Sequence, residues 1–262
     1  MDLYKEQFSQ EHHFPAYNGD RKFLIIASTP RSGSHFLGHS LYSTKKFGFP
    51  LEYTNQNNLP IWMQLFNTDS IDDTLTSIIK HRTSENGVFG IKVHFAHIHQ
   101  FGSFENLLHF FPDAHFVFLS RKDLLRQAIS LVVARQTGKW IKFQIAVGSP
   151  SYDFDQINNA LLDIISHNAA WQYYLSVNNC QRIDILYEDM IVDINETIQK
   201  IATFIGETNH LIPIESHKHD NKHTQIYDEW KNLYLHDYKL IQNKSRKSAN
   251  SLISRFRQLL TK

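Results

Sequence analysis

With 262 residues, 27 Lys plus Arg against 26 Asp plus Glu and a formal net charge of +1, the chain can bury one sizeable core and has no global field to recruit nucleic acid or an acidic membrane. Its single cysteine, Cys180, excludes an internal disulfide framework and argues against a thiolate metal cluster. No apolar run approaches the roughly 18 residues of a membrane span, and the start MDLYKEQFSQEHHFPAYNGD has no apolar stretch of signal-peptide length. The expectation is a single soluble domain over 1–262, cytoplasmic, in which any anion binding is local.

In chain order, short apolar runs predict strands at Phe23–Ala27, Val88–Val93, His115–Leu119 and Ile183–Leu186. Between them, segments of helical period predict helices at about His35–Thr44, Ser103–Phe111, Leu124–Gln136, Asp153–Val177, Glu196–Ile205 and Gln225–Tyr238. Asn86-Gly87, Pro112-Asp113 and Gly148-Ser149-Pro150 punctuate the loops. Strands alternating with helices indicate an α/β fold with parallel strands joined by crossover helices. From 243 to 262 the chain holds Lys244, Arg246, Lys247, Arg255, Arg257 and Lys262 and no acidic residue, while Leu252, Ile253, Phe256, Leu259 and Leu260 fall at helical spacing. This basic amphipathic extension either packs on its own domain or makes a subunit contact or a weak membrane-surface contact.

The stretch FLIIASTPRSGSHF carries the first chemical signal. A buried strand that ends at Thr29-Pro30 and re-enters as a helix near Ser34 leaves a short loop whose N–H groups, with the helix N-terminus, point at one spot suited to an oxyanion. Gly33 permits close approach or positive φ, Ser32 and Ser34 add hydroxyl donors, and Arg31 adds a permanent forked charge. The nucleoside-triphosphate loop GxxxxGK[ST] needs a Lys before its Ser/Thr, and that Lys is absent.

TPRSGS instead resembles the 5′-phosphosulfate loop of sulfotransferases, which take 3′-phosphoadenylyl sulfate (PAPS) as donor. In that superfamily an Arg at the end of a later strand and a Ser on the following helix hold the 3′-phosphate. HFVFLSRKDLLRQAIS offers Arg121 and Ser130 in those places. They stand one residue further apart than in many family members, so Lys122 remains an alternative ligand. Further pieces, TPRSGSHFL, GFPLEYTN, GVFGIKVH, SRKDLLRQAISLVVARQTGKW, ILYEDMIVD and QIYDEWKNLY, resemble the Stf0 family, whose recognised member sulfates a sugar hydroxyl of trehalose. His35 departs from the Thr that related chains commonly carry there.

The resemblance implies a three-layer α/β/α sandwich with a mainly parallel central sheet, the P-loop-like sulfotransferase fold. It implies in-line sulfuryl transfer from PAPS to a hydroxyl of a carbohydrate or glycolipid, without a metal, and makes a homodimer reasonable. Thr29, Pro30, Arg31, Ser32, Gly33 and Ser34 would hold the phosphosulfate, with Arg31 stabilising the leaving phosphate. Glu52, the acidic residue of Pro50-Leu51-Glu52-Tyr53, would be the general base. His94, His97 and His99 beyond the second strand compete for that role or for sugar contacts, and Arg135, Lys139 and Trp140 resemble a segment near the acceptor. Tyr187, Glu188 and Asp189 resemble a structural strand-exit brace. The loop with His217, Lys218, His219, Lys222 and His223 would cover the donor. Among His94, His97 and His99 no pair has the i, i+4 spacing that sets two ligands on one helix face, and His217, His219 and His223 fall in a polar loop, which argues against a metal at either cluster. The rival readings are an ATP-using phosphotransferase and a non-catalytic nucleotide-binding module.

Overall fold

The computed structural model describes residues 5–141, 144–207 and 224–259, with side chains in the last helix as far as Asn243. Four strands, β1 (Lys22–Ser28), β2 (Val88–His94), β3 (His115–Ser120) and β4 (Arg182–Leu186), form one sheet in the order β2-β1-β3-β4. All three pairings are parallel. Each strand lies within one residue of the bounds that its apolar run predicts.

Alternation along β1 shows why helices cover both faces. Leu24 and Ile26 enter a cluster with Leu37 and Leu41 of α1 (Ser34–Ser43) and Ile198 and Ile201 of α8 (Ile194–Phe204). Ile25 and Ala27 enter the opposite cluster with Leu75 and Ile78 of α3 (Ile71–Arg82), Leu107 of α4 (Phe104–Phe110) and Trp171 of α6 (Phe154–Val177). A sheet buried on both faces requires apolar runs rather than alternating polarity, and the sequence supplies them. A third cluster joins α5 (Leu124–Thr137) and α6 to Trp230 and Tyr234 of α9 (Thr224–Leu259). The architecture is therefore an α/β/α sandwich.

Short polar residues set the helix starts. Ser70, Ser103, Asp123, Asp153 and Asp193 each accept a hydrogen bond from the N–H three residues on, capping α3, α4, α5, α6 and α8. The sequence reading places no helix between Thr44 and Val88, whereas the structure has α2 (Leu59–Phe66) and α3 there. It also divides the C-terminal region into two segments, where the backbone runs as one helix of 36 residues, about 54 Å long. The side chains of the basic extension beyond Asn243 lie outside the described residues.

Before β1 the chain forms a strap over α2 and α3. Arg82, fully buried, donates from Nη2 to the carbonyls of Gln7 (2.8 Å) and Ser9 (3.2 Å). Its guanidinium lies 5.2 Å from the Trp62 ring centroid and 5.7 Å from that of Phe49. Among the described residues no helix is long and apolar enough to cross a membrane.

Candidate active site

In the order β2-β1-β3-β4 the chain leaves β1 for one neighbour and returns to pair on its other side. The carboxyl ends of β1 and β3 therefore flank a topological switch point, where open α/β sheets bind ligands. The loop after β1, residues 29–33, lies there and enters α1. Arg31 and Gly33 both have left-handed backbones, with φ 65° and 94°. For Arg31 this conformation costs about 1–2 kcal/mol, a strain that persists only where surroundings impose it. They do so through α5 and α6. Gln127, fully buried on α5, donates from Nε2 to Thr29 Oγ1 (2.9 Å) and the Pro30 carbonyl (2.7 Å). On α6, Trp171 Nε1 donates to the Ser28 carbonyl (3.0 Å), and Asn168 Oδ1 accepts from Thr29 Oγ1 (3.4 Å). The Thr29 side chain is thus fully buried and engaged by the loop's own supports.

Arg121 follows β3 directly and donates from Nη1 to the Arg31 carbonyl (3.1 Å). Its guanidinium stacks on Tyr187, the first residue of the short helix α7 (Tyr187–Met190), 4.2 Å from the ring centroid, and its Nε lies 3.9 Å from Glu188 Oε1. Glu188 also accepts from the N–H groups of Lys122 and Asp123. Lys122 points elsewhere: its exposed ammonium pairs with Asp189 at 3.0 Å. The sequence reading assigns Arg31 and Ser130 to opposite ends of the donor, yet Arg31 Nε donates to Ser130 Oγ (3.0 Å) and Arg31 Nη1 to the Trp140 carbonyl. Arg31, Arg121 and Ser130 form one group. Burial lowers the pKa of both arginines, and a neighbouring guanidinium adds to this in each case, Arg121 for Arg31 and Arg126 for Arg121. Ser32 Oγ and Arg121 Nε are buried donors with no protein partner at hydrogen-bonding distance. A tight turn, a helix N-terminus, two adjacent guanidiniums and unpartnered buried donors make a set that a phosphate or sulfate would satisfy.

Glu52 lies beside β2. Its segment runs parallel to that strand through the Leu51–Ile91 bridge, with Lys92 N–H donating to the Leu51 carbonyl (2.9 Å). Glu52 Oε1 receives Lys92 Nζ at 2.7 Å and His94 Nε2 at 2.9 Å, while Oε2 receives Asn55 Nδ2 at 3.0 Å. Asn58 Nδ2 holds the Glu52 carbonyl (2.9 Å). Burial alone would push the carboxyl's pKa up; Lys92 and then His94 outweigh it and hold the group well below the usual carboxylate range.

Histidines surround this carboxylate. His35, on the first turn of α1, feels Lys92, Glu52 and Arg31, and burial drives its pKa down to about 2. His97 is lowered to about 4, first by burial and then by His94. The His94 and His97 rings lie 5.5 Å apart. His99 is exposed, with Nδ1 bonded to the Ala96 carbonyl. Among the described residues no three His, Cys, Asp or Glu side chains gather as a metal site. Arg135 is exposed on the last turn of α5, and Trp140 meets the site through its carbonyl while its ring packs on the α5–α6–α9 cluster. His217, Lys218, His219, Lys222 and His223 lie outside the described residues.

Sequence reasoning misses Lys92, His35 as a neighbour of the carboxylate, and Gln127. A signal was present for two of them: a Lys inside the buried run VFGIKVH and a Gln on the buried face of α5 are costly placements unless each has a partner.

Several solved structures resemble the chain at low identity. The sulfotransferase domain from the curacin biosynthetic pathway shares 15% identity over 76% of each chain, with a TM-score of 0.48. The sulfotransferase domain from the Synechococcus PCC 7002 olefin synthase shares 14%, covering 83% of this chain and 90% of that one, with a TM-score of 0.44. A sulfotransferase from Alicyclobacillus acidocaldarius shares 14%, covering 84% and 93%, with a TM-score of 0.46. No curated protein matches the sequence. The family model for Stf0 sulphotransferases matches residues 23–237, from the second residue of β1 into α9, and the chain belongs to that family.

Proposed function

We propose that the protein transfers the sulfuryl group of PAPS to a hydroxyl of a carbohydrate or glycolipid acceptor. What supports this reading most is the juxtaposition, at one sheet edge, of an anion-complementary group and a partly buried, ionised carboxylate. The loop N–H groups with Ser32, Gly33 and Ser34 hold the phosphosulfate, and Arg121 with Ser130 holds the 3′-phosphate. In the transfer, the acceptor oxygen bonds to sulfur as the bond from sulfur to the bridging phosphate oxygen breaks, and that electron pair leaves with the phosphate. Glu52 takes the hydroxyl proton, which becomes acidic as the new bond forms. Arg31 releases Ser130 to stabilise the charge growing on the leaving phosphate. Neutral imidazoles at His35 and His97 offer hydrogen bonds to sugar hydroxyls without adding charge.

The deciding experiment is calorimetric titration of metal-free protein with 3′,5′-adenosine bisphosphate, 5′-AMP and ATP. Binding that depends on the 3′-phosphate is expected; binding of ATP alone would replace this reading with phosphoryl transfer. Glu52→Gln is expected to leave bisphosphate affinity near wild type and to lower turnover by about 10²-fold or more. A non-catalytic module would bind the bisphosphate and show no sulfation of any acceptor.

A further inference from the structure

We infer that Lys92 and His94 clamp Glu52 through a single oxygen, Oε1, leaving Oε2 as the atom that takes the acceptor's proton, so that Lys92 is a positioning residue of the transfer. The inference rests on the reading of Glu52 as the general base.

A free carboxylate has two equivalent oxygens and rotates between them. Here the equivalence is broken: Oε1 carries the short bonds to Lys92 Nζ and His94 Nε2, whereas Oε2 accepts from Asn55 on its own segment. Neither strand residue is placed loosely. The Lys92 side chain is 7% exposed on a strand whose every residue is buried, and an ammonium placed there calls for an oppositely charged partner. His94 is fixed from its far side by Ser28, whose Oγ lies 3.0 Å from Nδ1.

Ser28 and His94 are register partners across β1 and β2, and Ser28 immediately precedes the loop that begins at Thr29. The carboxylate is therefore referenced, through two hydrogen bonds and one backbone pairing, to the strand end that carries the anion-binding loop. This gives the base and the donor loop a common frame, which in-line transfer needs because a misplacement of reacting groups by about 1 Å is costly.

In the step itself, the acceptor O–H proton moves to Oε2 while the oxygen–sulfur bond forms and the bond from sulfur to the donor's phosphate oxygen breaks. Oε1 keeps both strand bonds, so the carboxyl stays in register when neutral. Lys92 opposes that neutral form, and the proton passes to water when product leaves. The groups facing Glu52 are Lys92 and His94 from β2, His35 from α1, His97 from the turn after β2, and Asn55 and Asn58 of its own segment. Of these, Lys92 and His94 touch Oε1 directly and are the charges that hold the Glu52 carboxyl low.

The test follows the Glu52 carboxyl by carbon-13 NMR in full-length protein labelled at glutamate Cδ, its resonance identified by its loss in Glu52→Gln. Lys92→Met is expected to raise its titration midpoint by about 1–3 pH units, and Lys92→Arg to keep it low. Should Lys92→Met fail to fold, His94→Gln is expected to raise the midpoint and Lys92→Arg still to leave it low. An unmoved midpoint in Lys92→Met, or in His94→Gln where that variant stands in, overturns the inference whatever the fate of the function proposed above. In sulfation assays of a mono- and disaccharide panel with labelled PAPS, Lys92→Met should lower kcat and move its acid limb upward, with bisphosphate affinity unchanged. A raised NMR midpoint beside wild-type turnover in Glu52→Gln would leave the clamp standing and remove Glu52 as the base; wild-type kcat in Lys92→Met would remove the positioning role.

Discussion

Replacing Gly33 by Ala perturbs the anion-binding loop at its tightest point. Gly33 has φ 94°, and a Cβ there would lie 2.4 Å from Tyr187 Cδ2, 2.9 Å from Tyr187 Cε2 and 3.0 Å from Met190 Cε. The left-handed backbone costs an L-residue about 1–2 kcal/mol. Restoring ordinary contact with the ring requires a retreat of roughly 1 Å. That ring supports the Arg121 guanidinium, so the displacement reaches the second anion anchor as well. If the free loop relaxes and must be forced back on binding, the strain alone weakens 3′,5′-adenosine bisphosphate by about 5- to 30-fold; strain that stays in the fold instead lowers the melting temperature by about 2–4 °C per kcal/mol. Calorimetric titration and thermal melting of Gly33→Ala measure both shares. Wild-type affinity together with a wild-type melting temperature would refute the argument that this backbone and this contact hold the loop.

Arg121→Ala should weaken the bisphosphate far more than 5′-AMP, since only the former carries the 3′-phosphate; equal weakening would detach Arg121 from that group. Stability should fall as pH drops below about 6.5, because His35 has a folded pKa of about 2 and His39 and His97 of about 4, so the unfolded chain binds protons that the folded chain refuses. His35 contributes up to about 1.4 kcal/mol per pH unit between pH 6 and 4. Urea midpoints across that range should lose part of their slope in His35→Asn, and an unchanged slope would show that His35 does not titrate with folding.

The parts of the fold that were legible are those where one physical demand dominates. A doubly covered parallel sheet needs continuous apolar runs, and FLII, VFGI and FVFL announce themselves. Helix α2 was not legible because LPIWMQLF is apolar on most sides yet buries chiefly Trp62, leaving no clean stripe. The Ser70 cap followed by Ile71, Leu75, Ile78 and Ile79 did mark α3, and the sequence reading passes over it. At the site, the loop was readable because its turn demands particular residues. The Lys92 partnership was not: it joins a strand interior to a segment some forty residues earlier in the chain, and no local rule links the two. The Arg31–Ser130 bond is of the same kind, a side-chain choice made across the cleft between β1 and α5.

The strap before β1 bears on where this protein can be cut. The family match begins at Phe23, so a chain trimmed to that boundary keeps every residue of the candidate site. It would nonetheless lose the two carbonyls that receive Arg82, leaving a guanidinium in an aromatic cage at about 1–3 kcal/mol for each donor stranded there. It would also lose Gln7, which pairs with the Asn58 amide that holds the Glu52 backbone. Homology defines a boundary by what relatives share, whereas folding defines it by which charges remain solvated or paired. In this chain the two boundaries differ by about one strap, and expression trials, domain grafts and N-terminal fusions should respect the second.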